Sequence, residues 1–187
     1  MYGNVVTNRQ LRILLEKNSI TIDPFEEKNL KSAAYTLTPG RIYTRGEDGE
    51  YDVSHTFGTR RKNFSLPPNE YIVIEAKEKV AIRENGIIGT FTTASTNIEN
   101  GLLIVAGQID SHYGVRGEAL RFGVKNLLDC ENQITSDTRL VHLQLVDMRG
   151  SATDPIRPSK AQRDHWSERV NQEWAENNIP NYGAADE

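Results

Sequence analysis

The stretch Gly101-Leu-Leu-Ile-Val-Ala-Gly-Gln-Ile-Asp110-Ser-His-Tyr113, followed by Arg116-Gly117-Glu118, decides how this chain is read. Leu102 to Ile109 is a mostly apolar run of strand length, and it predicts a buried strand leading out into a turn. The turn ends in an acid and an aromatic three residues apart, Asp110 and Tyr113. A carboxylate there can orient a water or a metal, and a phenol can stack on a sugar or a base. The plainer alternative has Asp110 capping the turn and Tyr113 covering the end of a barrel, since aspartate in turns is commonplace. Spacing alone leaves both open.

The flanking sequence is strand-like as well. Between Ile20 and about Met148, the segments Ile20-Thr-Ile22, Tyr71-Ile-Val-Ile74, Val80-Ala-Ile82 and Leu140 to Val146 are strand-sized. Breakers at Pro39-Gly40, Gly46 to Gly49, Pro67-Pro68, Asn85-Gly86 and Asn100-Gly101 fall at strand-and-turn spacing. Short strands punctuated this way predict an all-β barrel or sandwich in place of a parallel α/β sheet. The polar, turn-rich segment Arg45 to Asn63 reads as a surface excursion.

Two helices are expected at the ends. Thr7-Asn-Arg-Gln10 reads as a capping box, Leu11, Leu14 and Leu15 share one face, and Asn18 suits the stop. The first helix is therefore predicted from about Asn8 to Lys17. Past Arg149 the composition changes, dividing the chain into 1–150 and 151–187. Asp154-Pro-Ile-Arg-Pro158 reads as a linker, and Ser159 with Gln162 as a second capping box. Trp166, Val170 and Trp174 line one stripe of an amphipathic helix, and a loose tail starts at Tyr182. Aromatic anchors favour interfaces, so the stripe reads as a docking face onto the barrel or a neighbouring subunit.

Composition narrows the function classes. Twenty-two basic against 26 acidic residues give a net charge of −4. That argues against a general binder of nucleic-acid polymers and leaves room for a local basic pocket for a phosphorylated small molecule. The single cysteine, Cys130, excludes an intrachain disulfide framework and a cysteine-rich zinc site. His55, His112, His142 and His165 have no metal-ligand spacing, so no metal centre is expected. Arg60-Arg61-Lys62 reads as a solvated loop. The longest apolar run, Leu102 to Ala106, is too short to span a bilayer, and no leader precedes it. The expectation is a soluble, cytoplasmic protein with no membrane partner. A hydrophobic share of 37% is low for a compact monomer, so either polar material lies outside the core or a partner finishes part of the surface.

Ala106-Gly-Gln-Ile-Asp110-Ser-His-Tyr113 with Arg116-Gly-Glu118 resembles the dUTPase pattern of a Gly-x-Ile-Asp-x-x-Tyr hairpin followed by Arg-Gly. The N-terminal part resembles the related dCTP deaminases: a short helix, then Ile20-Thr-Ile-Asp-Pro-Phe25, then Ser32-Ala-Ala-Tyr35-Thr-Leu37. The likeness runs from about Leu11 to Met148. It implies a distorted β-barrel of jelly-roll type, assembled as a homotrimer with nucleotide sites between subunits. On that resemblance Asp110 matches the acid with which dUTPases activate the attacking water, in a reaction that needs Mg2+. Tyr113 matches the aromatic packed on the deoxyribose.

The departures from the pattern fall on chemistry-bearing positions. Thr36 stands where the Tyr-Asp-Leu motif has its Asp. Thr92-Thr-Ala-Ser95-Thr96 keeps the hydroxyls of the phosphate-binding Arg-Ser motif and lacks its guanidinium, a permanently charged bidentate contact that threonine does not replace. Counting back from Asn126 places Gly123 at the deaminase general acid/base glutamate. Glu118 is near in sequence but out of register unless the hairpin is rebuilt, for which the extra Gly114-Val115 gives room. His142 stands for the phosphate-contacting glutamine, and the Trp-bearing helix for the glycine-rich arm that closes dUTPase sites.

These changes predict a retained fold with a rewritten site. The expected function is binding, by sequestering or sensing, of a nucleotide or nucleotide-derived signal, with no cofactor required. Tyr113 would stack on the ligand, Ser95 and Thr96 would hydrogen-bond it, and Arg116 would supply positive charge. Asp110 would accept from a sugar hydroxyl, and His142 would stand at the phosphates. A phage or mobile-element setting would suit such a protein. One alternative is an active enzyme, either a divergent dUTPase using Asp110 and Mg2+ or a dCTP deaminase recruiting Glu118. The other is a structural or protein-interaction trimer.

Overall fold

The computed structural model describes residues 4–58, 63–115 and 117–149, and they are β-rich. In chain order the elements begin with β1 (Asn4–Val5), α1 (Asn8–Glu16), β2 (Ile20–Asp23) and a 3-10 turn (Glu27–Asn29). Next come β3 (Tyr35–Leu37), β4 (Pro39–Arg45), β5 (Tyr51–Thr56), β6 (Asn63–Leu66), β7 (Tyr71–Ala76) and β8 (Lys79–Ile82). β9 (Ile87–Thr93), α2 (Ser95–Glu99), β10 (Leu102–Val105) and β11 (Gln108–Ile109) follow. The described part closes with β12 (Arg121–Asn126), β13 (Asn132–Thr135) and β14 (Val141–Asp147). The linker, Trp-bearing helix and tail expected over 151–187 lie outside the described residues, as do Arg116 and Arg60-Arg61-Lys62.

Helix α1 forms as its capping box predicts. The Gln10 side chain accepts from the Thr7 N–H at 2.9 Å, and the Thr7 hydroxyl accepts from the Gln10 N–H at 3.4 Å. Leu11 and Leu14 are buried, and Asn18 ends the helix in the left-handed region at φ 55°.

One five-stranded sheet runs β1-β14-β9-β11, and β3 also pairs with β14. Because β9 takes one whole edge of β14, β1 and β3 lie end to end on the other. The second five-stranded sheet runs β10-β12-β7-β4-β5, and β2-β8 and β6-β13 form two-stranded ladders. All these pairings are antiparallel. Alternation along each strand sends one set of side chains inward: Val141, Leu143 and Leu145 from the first sheet, Ile72, Ile74, Phe122 and Val124 from the second. They meet in one core, where the Phe91 and Phe122 rings make an edge-to-face contact at 5.0 Å. The architecture is all-β as expected, but the sheets are not closed into the expected barrel.

Three expectations change in detail. The predicted strand from Leu102 to Ile109 is two strands in different sheets: β10 pairs with β12, and β11 pairs with β9. The exposed Ala106-Gly107 between them lets the chain cross, since glycine relieves the steric limits on the backbone. The supposed excursion Arg45 to Asn63 contains β5, which forms a hairpin with β4 around Gly49 at φ 86°. β5 is an edge strand whose first four residues are exposed, so it shows no apolar core pattern. The short helix α2 fills the interval between β9 and β10 that was read only as hydroxyl-rich sequence.

Candidate functional site

The turn after β11 is built by its side chains. Ser111 Oγ accepts from the Gly86 N–H at 3.1 Å and donates to the Ile87 carbonyl at 2.9 Å. His112, at φ 69°, places Nε2 2.8 Å from Asn85 Oδ1. The Tyr113 carbonyl accepts from the Ile82 N–H. Gly114 has φ 75°, and a Cβ there would stand 1.8 Å from the Val80 carbonyl oxygen. Only glycine fits that close approach to β8. The result is a rigid shelf that presents Asp110 to solvent, where its Oδ1 accepts from Gln108 Nε2 at 2.9 Å. Tyr113 packs half-buried against the core with its hydroxyl 3.4 Å from the Ala119 carbonyl, and burial raises its pKa.

A second group gathers at the other end of β9. Thr92 faces His142, and His142 faces Thr36 on β3. Thr36 Oγ1 and His142 Nδ1 are 3.0 Å apart. Burial, reinforced by the charges of Lys31 and Arg139, holds the His142 pKa below the ordinary histidine value. Ser95 and Thr96 are exposed at the start of α2. That helix is docked by Asn97, whose buried amide donates to the carbonyls of Arg139 and Leu140 at 2.7 and 2.9 Å.

The five predicted site residues that are described, Ser95, Thr96, Asp110, Tyr113 and His142, therefore do not all converge within one chain. Gly89, opposite Ile109, and Thr93, opposite Val141, are four residues apart on β9, about 14 Å of strand. Asp110 and Tyr113 lie beyond one of these points, Ser95, Thr96 and His142 near the other.

The register at Gly123 is now explicit. In β12 it pairs with Val73 on one side and Val105 on the other. A Cβ there would stand 2.1 Å from the Tyr71 hydroxyl, which leans over the glycine. Glu118 is exposed in the segment before β12, outside this ladder. Two cross-strand pairs away, Glu75 faces Arg121 and is fully engaged. It accepts from the Tyr43 hydroxyl at 2.8 Å and Arg121 Nε at 3.1 Å, with Arg41 at 3.5 Å. The sequence reading missed Tyr71 as a resident of this place, because its position depends on cross-strand register.

Asp110 offers a single carboxylate, already engaged by the Gln108 amide. Among the described residues no group of three His, Cys, Asp or Glu side chains comes together to hold a metal. These donors do not make a Mg2+ site by themselves, an ion that commonly binds through one or two carboxylates plus substrate phosphates.

The fold and these positions can be set beside known proteins. A family model described as dCTP deaminase-like matches residues 5–148. No curated protein matches the chain by sequence. Among solved structures, the dCTP deaminase from Agrobacterium tumefaciens is similar with a TM-score of 0.61 at 9% identity, covering 79% of this chain and 49% of that one. The chain thus spans about half the length of that deaminase. A mutant dUTPase from phage phi11 of S. aureus gives a TM-score of 0.48 at 18% identity, covering 76% of this chain and 97% of that one. The EIAV dUTPase gives 0.42 at 16%, covering 67% and 98%. With the family match running from β1 to just past β14, the chain belongs to the dCTP deaminase-like family.

Proposed function

We propose that this chain binds a nucleotide or a nucleotide-derived phosphorylated molecule at sites shared between the copies of a homotrimer, and that it acts by holding the ligand without deaminating it. One observation carries the loss of deamination: the position matched to the acid/base glutamate is Gly123, and the Tyr71 phenol occupies the space a side chain would enter. A positioned acid/base group contributes typically 10²–10⁴-fold to rate, and neither neighbouring carboxylate replaces it. Glu75 is committed to Tyr43 and Arg121. Glu118 lies outside the β12 ladder. The separation of the two residue groups along β9 supports a shared site, since one copy can supply Asp110 and Tyr113 while another supplies Ser95, Thr96 and His142. In this reading Tyr113 stacks on the sugar or base, Asp110 accepts from a sugar hydroxyl, and Arg116 adds positive charge.

The test is incubation with dCTP and dUTP, with binding and product read from the same sample. Saturable binding with the nucleotide recovered intact supports the proposal, and formation of dUTP from dCTP overturns it. Hydrolysis of dUTP is the second reading, favoured by the solvent exposure of the Asp110 carboxylate. Hydrolysis that disappears in Asp110→Asn would establish it.

A further inference from the structure

We infer that the cavity between α1, the β8–β9 turn and the end of β14 is a binding site for a monocarboxylate with a short aliphatic body. Helix α1 carries two stripes. Leu11 and Leu14 are buried in the core, whereas Gln10, Ile13 and Lys17, at spacings of three and four, line a cavity of about 580 Å³, within the range of small-ligand sites. Gln10 to Lys17 covers about 10 Å of helix, long enough for a short alkyl chain. Val6 and Leu14, 5% and 6% exposed, give the cavity an aliphatic floor. Ile13, 42% exposed, stands in its wall. Such a strip takes up an apolar body because covering it removes hydrocarbon from water.

The charges around this strip define the head group. Three cations and two acids line the cavity, an excess of one positive charge. Both acids are engaged: Arg149 donates through Nη1 to Glu84, and through Nε and Nη2 to Asp147 at 2.9 and 2.6 Å. The Ser19 hydroxyl and then Arg149 hold the Glu84 carboxyl below the ordinary carboxylate range, and Arg149 does the same for Asp147. Lys17 and Arg83 make no ion pair among the described residues. Gln10 Oε1 accepts from the Thr7 N–H and hydroxyl, both at 2.9 Å, which leaves its Nε2 to donate. The available polar groups are then an ammonium, a guanidinium and an amide N–H, all donors. A carboxylate accepts from all three, and from the guanidinium in a bidentate manner. Its single charge matches the excess of one, whereas a polyphosphate would set several charges against Glu84 and Asp147. Arg83 stands on fixed backbone: its N–H donates to the Ser19 carbonyl at 2.8 Å, and the turn after it is fastened by Asn85 to His112 and by Gly86 to Ser111. None of the residues lining this cavity belongs to the nucleotide site proposed above, so the inference goes beyond it.

An NMR titration of the full chain, labelled at its isoleucine and valine methyl groups, tests this with hexanoate as the probe. Hexanoate should shift the Val6 and Ile13 methyl signals saturably, in the millimolar range expected of so small a ligand. Hexan-1-ol and hexylammonium share the chain and lack the carboxylate, and each should bind at least about tenfold more weakly. Lys17→Ala/Arg83→Ala should weaken hexanoate binding at least about tenfold, and Asp110→Asn should bind like wild type. No saturable shift with hexanoate, shifts confined to methyl groups elsewhere in the chain, equal binding of hexan-1-ol, or unchanged affinity in the double variant overturns the site. If the double variant fails to fold, Ile13→Glu carries the test. It sets a carboxylate into an exposed stretch of the cavity wall and should abolish the Val6 shift, and a retained shift overturns the proposal.

Discussion

Gly114 is constrained twice, by a φ of 75° and by the Val80 carbonyl 1.8 Å from where its Cβ would be. Gly114→Ala must move backbone on both β8 and the turn, and a loss of about 3 kcal/mol is expected in urea unfolding. Glu26 makes a different prediction. Hydrogen bonds from Lys28 and then Lys77 lower its pKa from 4.5 to about 2. Its folded pKa lies below the unfolded one, so it contributes stability that is present above pH 4.5 and lost as pH falls towards 2. Glu26→Gln should flatten the acid limb of the stability curve in that window, measured by thermal unfolding at stepped pH. At this scale the sequence was legible where a residue type is itself the message: Thr36 and Gly123 carry no carboxylate, whatever stands around them. Tyr71 over Gly123 was not legible, because its place depends on what stands across a strand.

Elements were legible to the extent that local signals set them. The Thr7–Gln10 box and the Asn18 stop place α1 within one residue of expectation, since both ends are fixed by neighbours in the chain. β10 and β11 fail that condition: one apolar run is divided between two sheets because their partners, β12 and β9, lie elsewhere in sequence. β12 shows how such non-local order is secured. Asn126, fully buried at its end, donates to the carbonyls of Leu66, Pro67 and Cys130 and accepts from Leu128 N and Asn132 Nδ2. Removing that side chain leaves several buried groups unpaired, so Asn126→Ala should lose about 3 kcal/mol in denaturant unfolding. Hydrogen exchange should show the 64–68 and 127–132 segments opening together.

For the whole molecule, the decisive feature is the length of β9 between the two groups of residues proposed to form the site. A trimer with shared sites makes a prediction that a single-chain site does not. Tyr113→Ala and Ser95→Ala/Thr96→Ala should each lose nucleotide binding, while co-refolded mixtures should regain it at about a quarter of the sites. Mixtures that stay inactive, or a chain that sediments as a monomer at binding-competent concentrations, would contradict the sharing. The most direct test of the central claim is product analysis of dCTP and dUTP at saturation, read beside thermal stability. A bound ligand at 100 times its Kd adds about 2.7 kcal/mol, so binding is visible independently of turnover. The account predicts stabilisation by a nucleotide that is recovered chemically unchanged; stabilisation accompanied by deamination or by release of pyrophosphate would contradict it.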